Sequence, residues 1–305
     1  MTRVACIGEC MLELSGADSN AMTLSYGGDT LNTAVYLARL GVAVDYVTAL
    51  GDDPYSDGMI AQWQAEGVGV ERVVRAKGRV PGLYMIRTDD AGERQFFYWR
   101  DQAPVRDLFA FPESADLAQT LTDYDWLYLS GITLSLYDDA QRTQLFAILD
   151  SARGNGAKVM FDTNYRPRGW TDAAAAREVM TAMLSRTDLA LPTLDDDREV
   201  FGDTDADACA TRLQSAGVGE AVVKMDVEGC LLSFDGRREQ VATLRRSDLV
   251  DTTGAGDSFN AGYLAARLAG SDPVAAARAA HTLAGEVIMH RGAIMPREAM
   301  PEGNS

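Results

Sequence analysis

The chain is poor in the residues that several common chemistries require. It has four cysteines and two histidines in 305 residues. Cys6, Cys10, Cys209 and Cys230 show no C-x-x-C spacing, and Cys6 and Cys10 flank Gly8 in an apolar strand, so buried reduced thiols are expected. His281 and His290 both fall in the C-terminal helical region, and a zinc site or a Ser–His–Asp hydrolase is hard to build from them. Cationic side chains are also scarce: 28 Lys and Arg against 45 Asp and Glu leave a formal net charge of −17. A field of that sign repels polyanions, which argues against nucleic acid and anionic membranes as partners. No run of 18 apolar residues occurs, and Met1-Thr2-Arg3-Val4 reads as the start of a strand and not as a signal peptide, so a cytoplasmic protein is expected. Internal repeats and low-complexity tracts are lacking. So is the G-x-G-x-x-G of a dinucleotide-binding dehydrogenase, because the first strand runs into Gly8-Glu9-Cys10-Met11.

What is present is the composition of an ordinary globular enzyme, 47% hydrophobic and 24% charged. The length allows one large α/β domain or two smaller ones, burying roughly three quarters of the extended surface. Apolar strand-like runs at residues 4–7, 44–50, 126–129, 158–161, 189–191 and 221–224 alternate with helical spacing at 30–40, 59–66, 143–153, 173–184 and 206–216. That alternation predicts parallel strands with crossover helices, a doubly wound fold. Residues 82–88 and 94–100 break the pattern. They are β-like runs separated by Asp89-Asp90-Ala91-Gly92-Glu93, a hairpin turn. This hairpin carries Tyr84, Phe96, Phe97, Tyr98 and Trp99, and so many aromatics must cover a substrate, a partner subunit, or both.

Three stretches carry candidate chemistry. The most informative is Asp251-Thr252-Thr253-Gly254-Ala255-Gly256-Asp257, followed by the apolar helix 258–268. Gly254, Ala255 and Gly256 leave backbone N–H groups bare at a strand-to-helix turn, where orphan donors and the positive helix end favour a phosphate or a developing oxyanion. Asp257 puts a carboxylate at that same end, which suggests a base aimed at a nucleophile beside a phosphate. A Gly-rich turn that merely starts a helix is the plainer alternative. In so acidic a chain a nucleotide site must be corrected locally by N–H groups, a few Arg or Lys, and Mg²⁺. Next, Gly27-Gly28-Asp29-Thr30 opens the first helix, with Asn32 in its first turn. These polar groups can read hydroxyls, or they can simply cap the helix. Last, Asp162-Thr163-Asn164-Tyr165-Arg166-Pro167-Arg168 follows a strand, and ligands of doubly wound sheets sit beyond the carboxyl ends of strands. Arg166 can hold a phosphate or carboxylate in bidentate fashion, or pair with a surface acid. Arg100, ending the aromatic strand, is a second candidate anion holder.

Residues 27–41 resemble the first signature of the ribokinase-like (PfkB) carbohydrate kinases, and residues 251–268 resemble the second. Residues 7–14, 81–100, 161–170 and 291–300 are similar to the branch of that family acting on 2-dehydro-3-deoxy sugar acids, so the resemblance spans nearly the whole chain. It implies a single ribokinase-like domain over 1–305, with a doubly wound, mainly parallel sheet covered by helices on both faces. A small projecting β lid would come from about 10–26 and 80–100. It further implies transfer of the ATP γ-phosphoryl group, with Mg²⁺, to the terminal hydroxyl of the sugar acid. Asp257 would be the base, and Gly254, Ala255 and Gly256 would stabilise the transferring phosphoryl. Gly28, Asp29, Thr30, Leu31, Asn32, Tyr84, Tyr98, Trp99, Arg100 and Arg166 would contact the sugar acid. ATP would lie along Lys224, Met225, Asp226, Val227, Glu228 and Gly229 and residues 254–257, with Asn164, Tyr165 and Arg166 near the phosphates.

Two departures stand out. Asp226 occupies the place of the first Gly in the family's K-x-G-x-x-G loop. The N-x-x-E motif linked to the metal reads Thr193-Leu194-Asp195-Asp196, which keeps a carboxylate for Mg²⁺ at Asp196 and loses the Asn. A homo-oligomer formed through the lid is also implied. Kinases for fructose, ribose or 2-dehydro-3-deoxygalactonate are alternatives, as is a non-catalytic sugar-binding regulator. The hairpin ending in Arg100 favours an acid, and the retained Asp257 favours an enzyme.

Overall fold

The computed structural model describes residues 2–18, 21–88, 94–243 and 249–301. The expected hairpin turn at 89–93 lies outside the described residues. The strands are β1 (Arg3–Ile7), β2 (Met11–Asp18), β3 (Ala21–Gly27), β4 (Ala43–Gly51), β5 (Val73–Ala76), β6 (Leu83–Thr88), β7 (Arg94–Trp99), β8 (Trp126–Ser130), β9 (Lys158–Asp162), β10 (Leu189–Ala190), β11 (Glu220–Lys224), β12 (Cys230–Phe234) and β13 (Arg237–Val241). The helices are α1 (Asp29–Arg39), α2 (Pro54–Ala65), α3 (Leu117–Leu121), α4 (Gly131–Leu136), α5 (Asp139–Gly154), α6 (Ala173–Leu184), α7 (Leu194–Phe201), α8 (Ala206–Ser215), α9 (Ala255–Leu268) and α10 (Pro273–Val287).

Nine strands form one sheet in the order β13-β12-β11-β10-β9-β8-β1-β4-β5. Pairing is parallel from β11 through β5, and β12 and β13 add antiparallel at one edge. Because successive strand side chains point to opposite faces, each strand feeds two cores. Ile7, Leu127, Leu129 and Phe161 pack on one face. Cys6, Tyr128 and Met160 pack on the other. The doubly wound sheet is therefore as expected.

Differences from the expected elements have local causes. Helix α2 begins at Pro54, five residues earlier than the apolar spacing indicates, because Asp53 accepts from Tyr55 N and Ser56 N and Pro54 suits the first helical position. Helix α5 likewise starts at Asp139, where Asp138 accepts from Gln141 N. Cys10 lies past the end of β1, in the link to β2. Strand β13 is largely exposed and polar, an edge strand without the apolar alternation that announces a strand.

The remaining four strands make the separate sheet β3-β2-β6-β7. Its β2–β3 and β6–β7 pairs are antiparallel, and β2 and β6 pair in parallel. A cleft of about 1010 Å³ lies between this lid and the carboxyl end of the main sheet. Glu13, Ser25, Tyr84, Phe96 and Tyr98 line it from the lid, and Gly28, Asp29, Asn32, Thr253 and Arg291 line it from the body.

Candidate active site

Helix α9 starts at the expected turn. Gly254, its N-cap, has φ 78° and carries no side-chain cap. A β-carbon there would lie 2.6 Å from Ala293 O, so backbone conformation and space both call for glycine. Ala255 N–H donates to Thr252 O at 3.2 Å, which removes one of the three expected donors. Gly256 and Asp257 keep N–H groups with no acceptor among the described residues. Asp251, which is buried, staples the turn in place: Oδ1 accepts from Thr253 N at 3.0 Å and Thr253 Oγ1 at 2.7 Å, and Oδ2 accepts from Gly292 N at 2.8 Å. That staple sets the turn against the 291–294 segment lining the cleft.

Asp257 meets the first helix across the sheet end. Asn32 Nδ2 donates to Asp257 Oδ2 at 2.8 Å, and Thr33 Oγ1 donates to Asp257 O at 3.2 Å. Burial, and then the charge of Asp29, push the Asp257 carboxyl up to about 7 against the opposing Asn32 hydrogen bond. Burial pushes Asp29 upward too. Its Oδ2 accepts from Asn164 Nδ2 at 2.8 Å. Asn164 sits at φ 30°, a left-handed conformation that Asn tolerates, and its N–H donates to Asp162 Oδ1 at 3.1 Å. Beneath them, Asp162 Oδ2 accepts from Lys224 Nζ at 2.8 Å and from Asn260 Nδ2 at 2.7 Å. Thus β9 and the residues after it, β11, α1 and α9 bring three carboxylates, three amides and one ammonium together, of which Asp29 and Asn32 line the cleft.

Helical and strand periodicity separates the expected residues into those facing the cleft and those facing away. On α1, Asp29 and Asn32, three residues apart, face it. Leu31 belongs to the core cluster, and Thr30 is fully buried with its Oγ1 3.2 Å from Tyr46 Oη, so neither side chain reaches a ligand there. On β7, Tyr98 lines the cleft, whereas Trp99 alternates to the other face, pairs with Leu83 and is 57% exposed. Tyr165 packs in the core, so its ring turns from the phosphate region where it was expected. These four are corrections, and each follows from side-chain direction.

The cations are already engaged. Arg166 Nη1 donates to Asp196 Oδ2 at 3.1 Å and to its own neighbour's carbonyl, Tyr165 O, at 2.6 Å. Arg100 pairs with the buried Glu9 at the lid's base. In the lid, Tyr84 Oη donates to Glu13 Oε2, and Ser25 Oγ donates to Glu13 Oε1 at 3.2 Å. The 224–229 loop leaves β11 through Met225, which packs on the core, and Asp226, Val227 and Glu228 form an exposed single turn. Asp226 adopts φ 49°, the left-handed region in which the family's Gly would sit and which Asp also tolerates. Gly229 has φ 91°, and a β-carbon on it would lie 2.1 Å from Val241 O.

Glu9, Glu13, Asp162, Asn260, Asp251 and Arg291 were missed as site residues by sequence reasoning. Asp162 and Asp251 stood inside stretches already singled out but without a role, and Asn260 had a usable signal, lying three residues after Asp257 on the same helix face. The others depend on contacts between distant segments. Among the described residues, one cluster has three metal-ligand side chains, Asp197, Asp203 and Cys209, and it lies outside this cleft. Arg212 occupies it, donating to Asp203 Oδ2 at 2.7 Å and to Asp197. No helix of the described residues is long and apolar enough to cross a membrane.

Comparison with known proteins places the fold and the family. The 2-dehydro-3-deoxygluconokinase of Dickeya dadantii (strain 3937) is 45% identical over 307 residues, covering 98% of each chain. A crystal structure of 2-dehydro-3-deoxygluconokinase from Thermotoga maritima matches with a TM-score of 0.83 at 24% identity, covering 96% of this chain and 94% of that one. A putative ribokinase II from E. coli in complex with ATP and Mg²⁺ matches with a TM-score of 0.83 at 19% identity, covering 99% of this chain and 96% of that one. At such identities the two structures speak for the fold, which is ribokinase-like. The profile of the pfkB family carbohydrate kinases runs over residues 1–300, the doubly wound sheet and its lid together. With a 45% identical relative matched along its whole length, the chain belongs to the pfkB family of carbohydrate kinases.

Proposed function

We propose that the chain transfers the γ-phosphoryl group of ATP to the terminal hydroxyl of 2-dehydro-3-deoxygluconate, giving the 6-phosphate and ADP. The observation that carries this reading is Asp257, a partly buried carboxylate held by Asn32 at 2.8 Å at the head of α9. There it accepts the alcohol proton while the Gly256 and Asp257 amides face the transferring phosphoryl. Positioning and electrostatics supply most of the catalysis in such transfers. Asn32, Asp29 and Gly28 read the sugar from the body, and Tyr84 and Tyr98 close over it from the lid, excluding water that would otherwise hydrolyse ATP. A guanidinium has five N–H donors, so Arg100 keeps donors for the sugar acid's carboxylate while paired with Glu9.

ATP fits the exposed loop at Asp226, Val227 and Glu228 together with the bare amides at the start of α9. Mg²⁺ is commonly held by one or two carboxylates plus substrate phosphates, and Asp196 is the carboxylate we assign to it, where it supplies neutralising charge. Asn164 and Arg166 stand on the same side. The test is ADP release measured across 2-dehydro-3-deoxygluconate, 2-dehydro-3-deoxygalactonate, fructose and ribose. Turnover confined to the sugar acids supports the reading, and equal use of fructose overturns the acid specificity. In the wild-type background, Asp257→Asn should lower turnover roughly 10²–10⁴-fold.

The outer face of the lid supports a second proposal. Leu24, Phe97 and Trp99 are 48%, 45% and 57% exposed on or beside it, and a second copy of the chain covering them makes a homo-oligomer. Free buried cysteines suit the reducing cytoplasm in which this chemistry would run.

A further inference from the structure

Lys224 has a place that a phosphate ligand would not need. It is 8% exposed at the end of β11. Its Nζ donates to Asp162 Oδ2 at 2.8 Å and to Asn260 Oδ1 at 3.1 Å. Asn260 Nδ2 closes the triangle onto Asp162 Oδ2 at 2.7 Å and reaches Tyr128 Oη at 3.2 Å. The ammonium lies under the start of α9, 3.5 Å from where a β-carbon on Gly256 would be. Swinging up to a phosphate would strip Asp162 of its cation in a buried site, which is strongly unfavourable.

We propose that Lys224, held in place by Asp162 and Asn260 beneath Gly256, is a positioning residue that acts on Asp257 as a fixed counter-charge and keeps the base ionised instead of binding ATP. Asp257 is faced by Asp29, Asn32, Thr33 and Tyr36 from α1, by Tyr128 from β8, by Asp162 from β9 and by Lys224 from β11. Asp251 and Arg291 line the flank of the same cleft. Of these, Asp29 and Asp162 oppose ionisation of Asp257 and Lys224 favours it. One ammonium thus offsets part of the charge that Asp29 and Asp162 place around Asp257.

This inference rests on Asp257 being the base, which the turnover loss in Asp257→Asn tests separately. The decisive experiment is the pH profile of kcat, with KM for ATP, for wild type, Lys224→Met and Asp162→Asn on 2-dehydro-3-deoxygluconate. Lys224→Met should move the acid limb of kcat up by about one pH unit and lower turnover near pH 7 about fivefold, with KM for ATP within about twofold of wild type. Asp162→Asn removes an opposing charge and should move the same limb down. A tenfold or larger rise in KM for ATP with an unmoved limb in Lys224→Met overturns the proposal in favour of direct phosphate binding. Should Lys224→Met fail to fold, Lys224→Gln decides with the same readouts, and an unmoved acid limb there refutes the proposal.

Discussion

A carboxylate kept in a crowded, poorly solvated site must cost the fold something, and Asp257→Asn should reveal how much. The Asp257 carboxyl is raised from an ordinary 3.8 to about 7. Each pH unit of difference is worth about 1.36 kcal/mol, so the full displacement corresponds to about 4 kcal/mol. Asp257 keeps partial exposure, water recovers part of that penalty, and about 2 kcal/mol is the working figure. The sign follows from proton uptake. Between pH 4 and 7 the native protein holds a proton that the unfolded chain has released. Stability from this group is therefore full below about pH 4 and is lost as pH rises through about 7. An Asn is neutral throughout and escapes the loss. At about 2–4 °C per kcal/mol for a domain approaching this size, the variant should melt roughly 4–8 °C above wild type at pH 8. The advantage should shrink steadily toward pH 5, while turnover is lost at every pH. The assay is thermal melting of both proteins without nucleotide, followed by circular dichroism at pH 5, 6.5 and 8. A difference independent of pH, or a variant less stable at pH 8, would refute the account of Asp257 as a strained, functionally retained carboxylate.

Other consequences are testable with the same material. Arg100→Ala should raise KM for 2-dehydro-3-deoxygluconate roughly 10–100-fold while leaving KM for ATP unchanged, as expected for one charge-assisted contact. Because that change strands the buried Glu9, Tm should also fall, and adding Glu9→Gln should restore Tm but not KM. Gly229→Ala forces a β-carbon to 2.1 Å from Val241 O in a left-handed backbone, so Tm should drop by several degrees and KM for ATP should rise. Unchanged nucleotide kinetics in a folded Gly229→Ala variant would remove that loop from the ATP site. Trp99→Glu should shift the elution volume in size-exclusion chromatography toward the single chain and spare KM for the sugar, since the ring faces away from the cleft.

Much of the architecture could be read directly. Apolar runs such as 4–7 and 126–129 are buried on both faces in the structure, as a doubly wound sheet requires. The Gly254–Asp257 turn was legible because glycines before a helical pattern mark a backbone conformation and a close approach that other residues resist. Helix starts were less so, since Asp53 and Asp138 act through local caps that apolar spacing does not register. Of the expected site residues, those turned from the cleft differ from their neighbours in side-chain direction. Thr30, Leu31 and Trp99 lie beside cleft residues in sequence but point elsewhere, because neighbours on a helix or strand diverge by 100° or 180°, and Tyr165, in the segment after β9, packs its ring into the core.

The sequence by itself determined most of the elements, the glycine-rich turn and the carboxylate at its helix head, because these depend on composition and spacing within short stretches. Only the tertiary structure decided which charges meet. Asp29, Asp162, Lys224 and Asp257 are far apart along the chain and share a buried cluster solely because β9 and β11 end, and α1 and α9 begin, at the carboxyl end of the sheet. Electrostatic energies depend on that separation and on the exclusion of water, two quantities that exist only once the chain has folded.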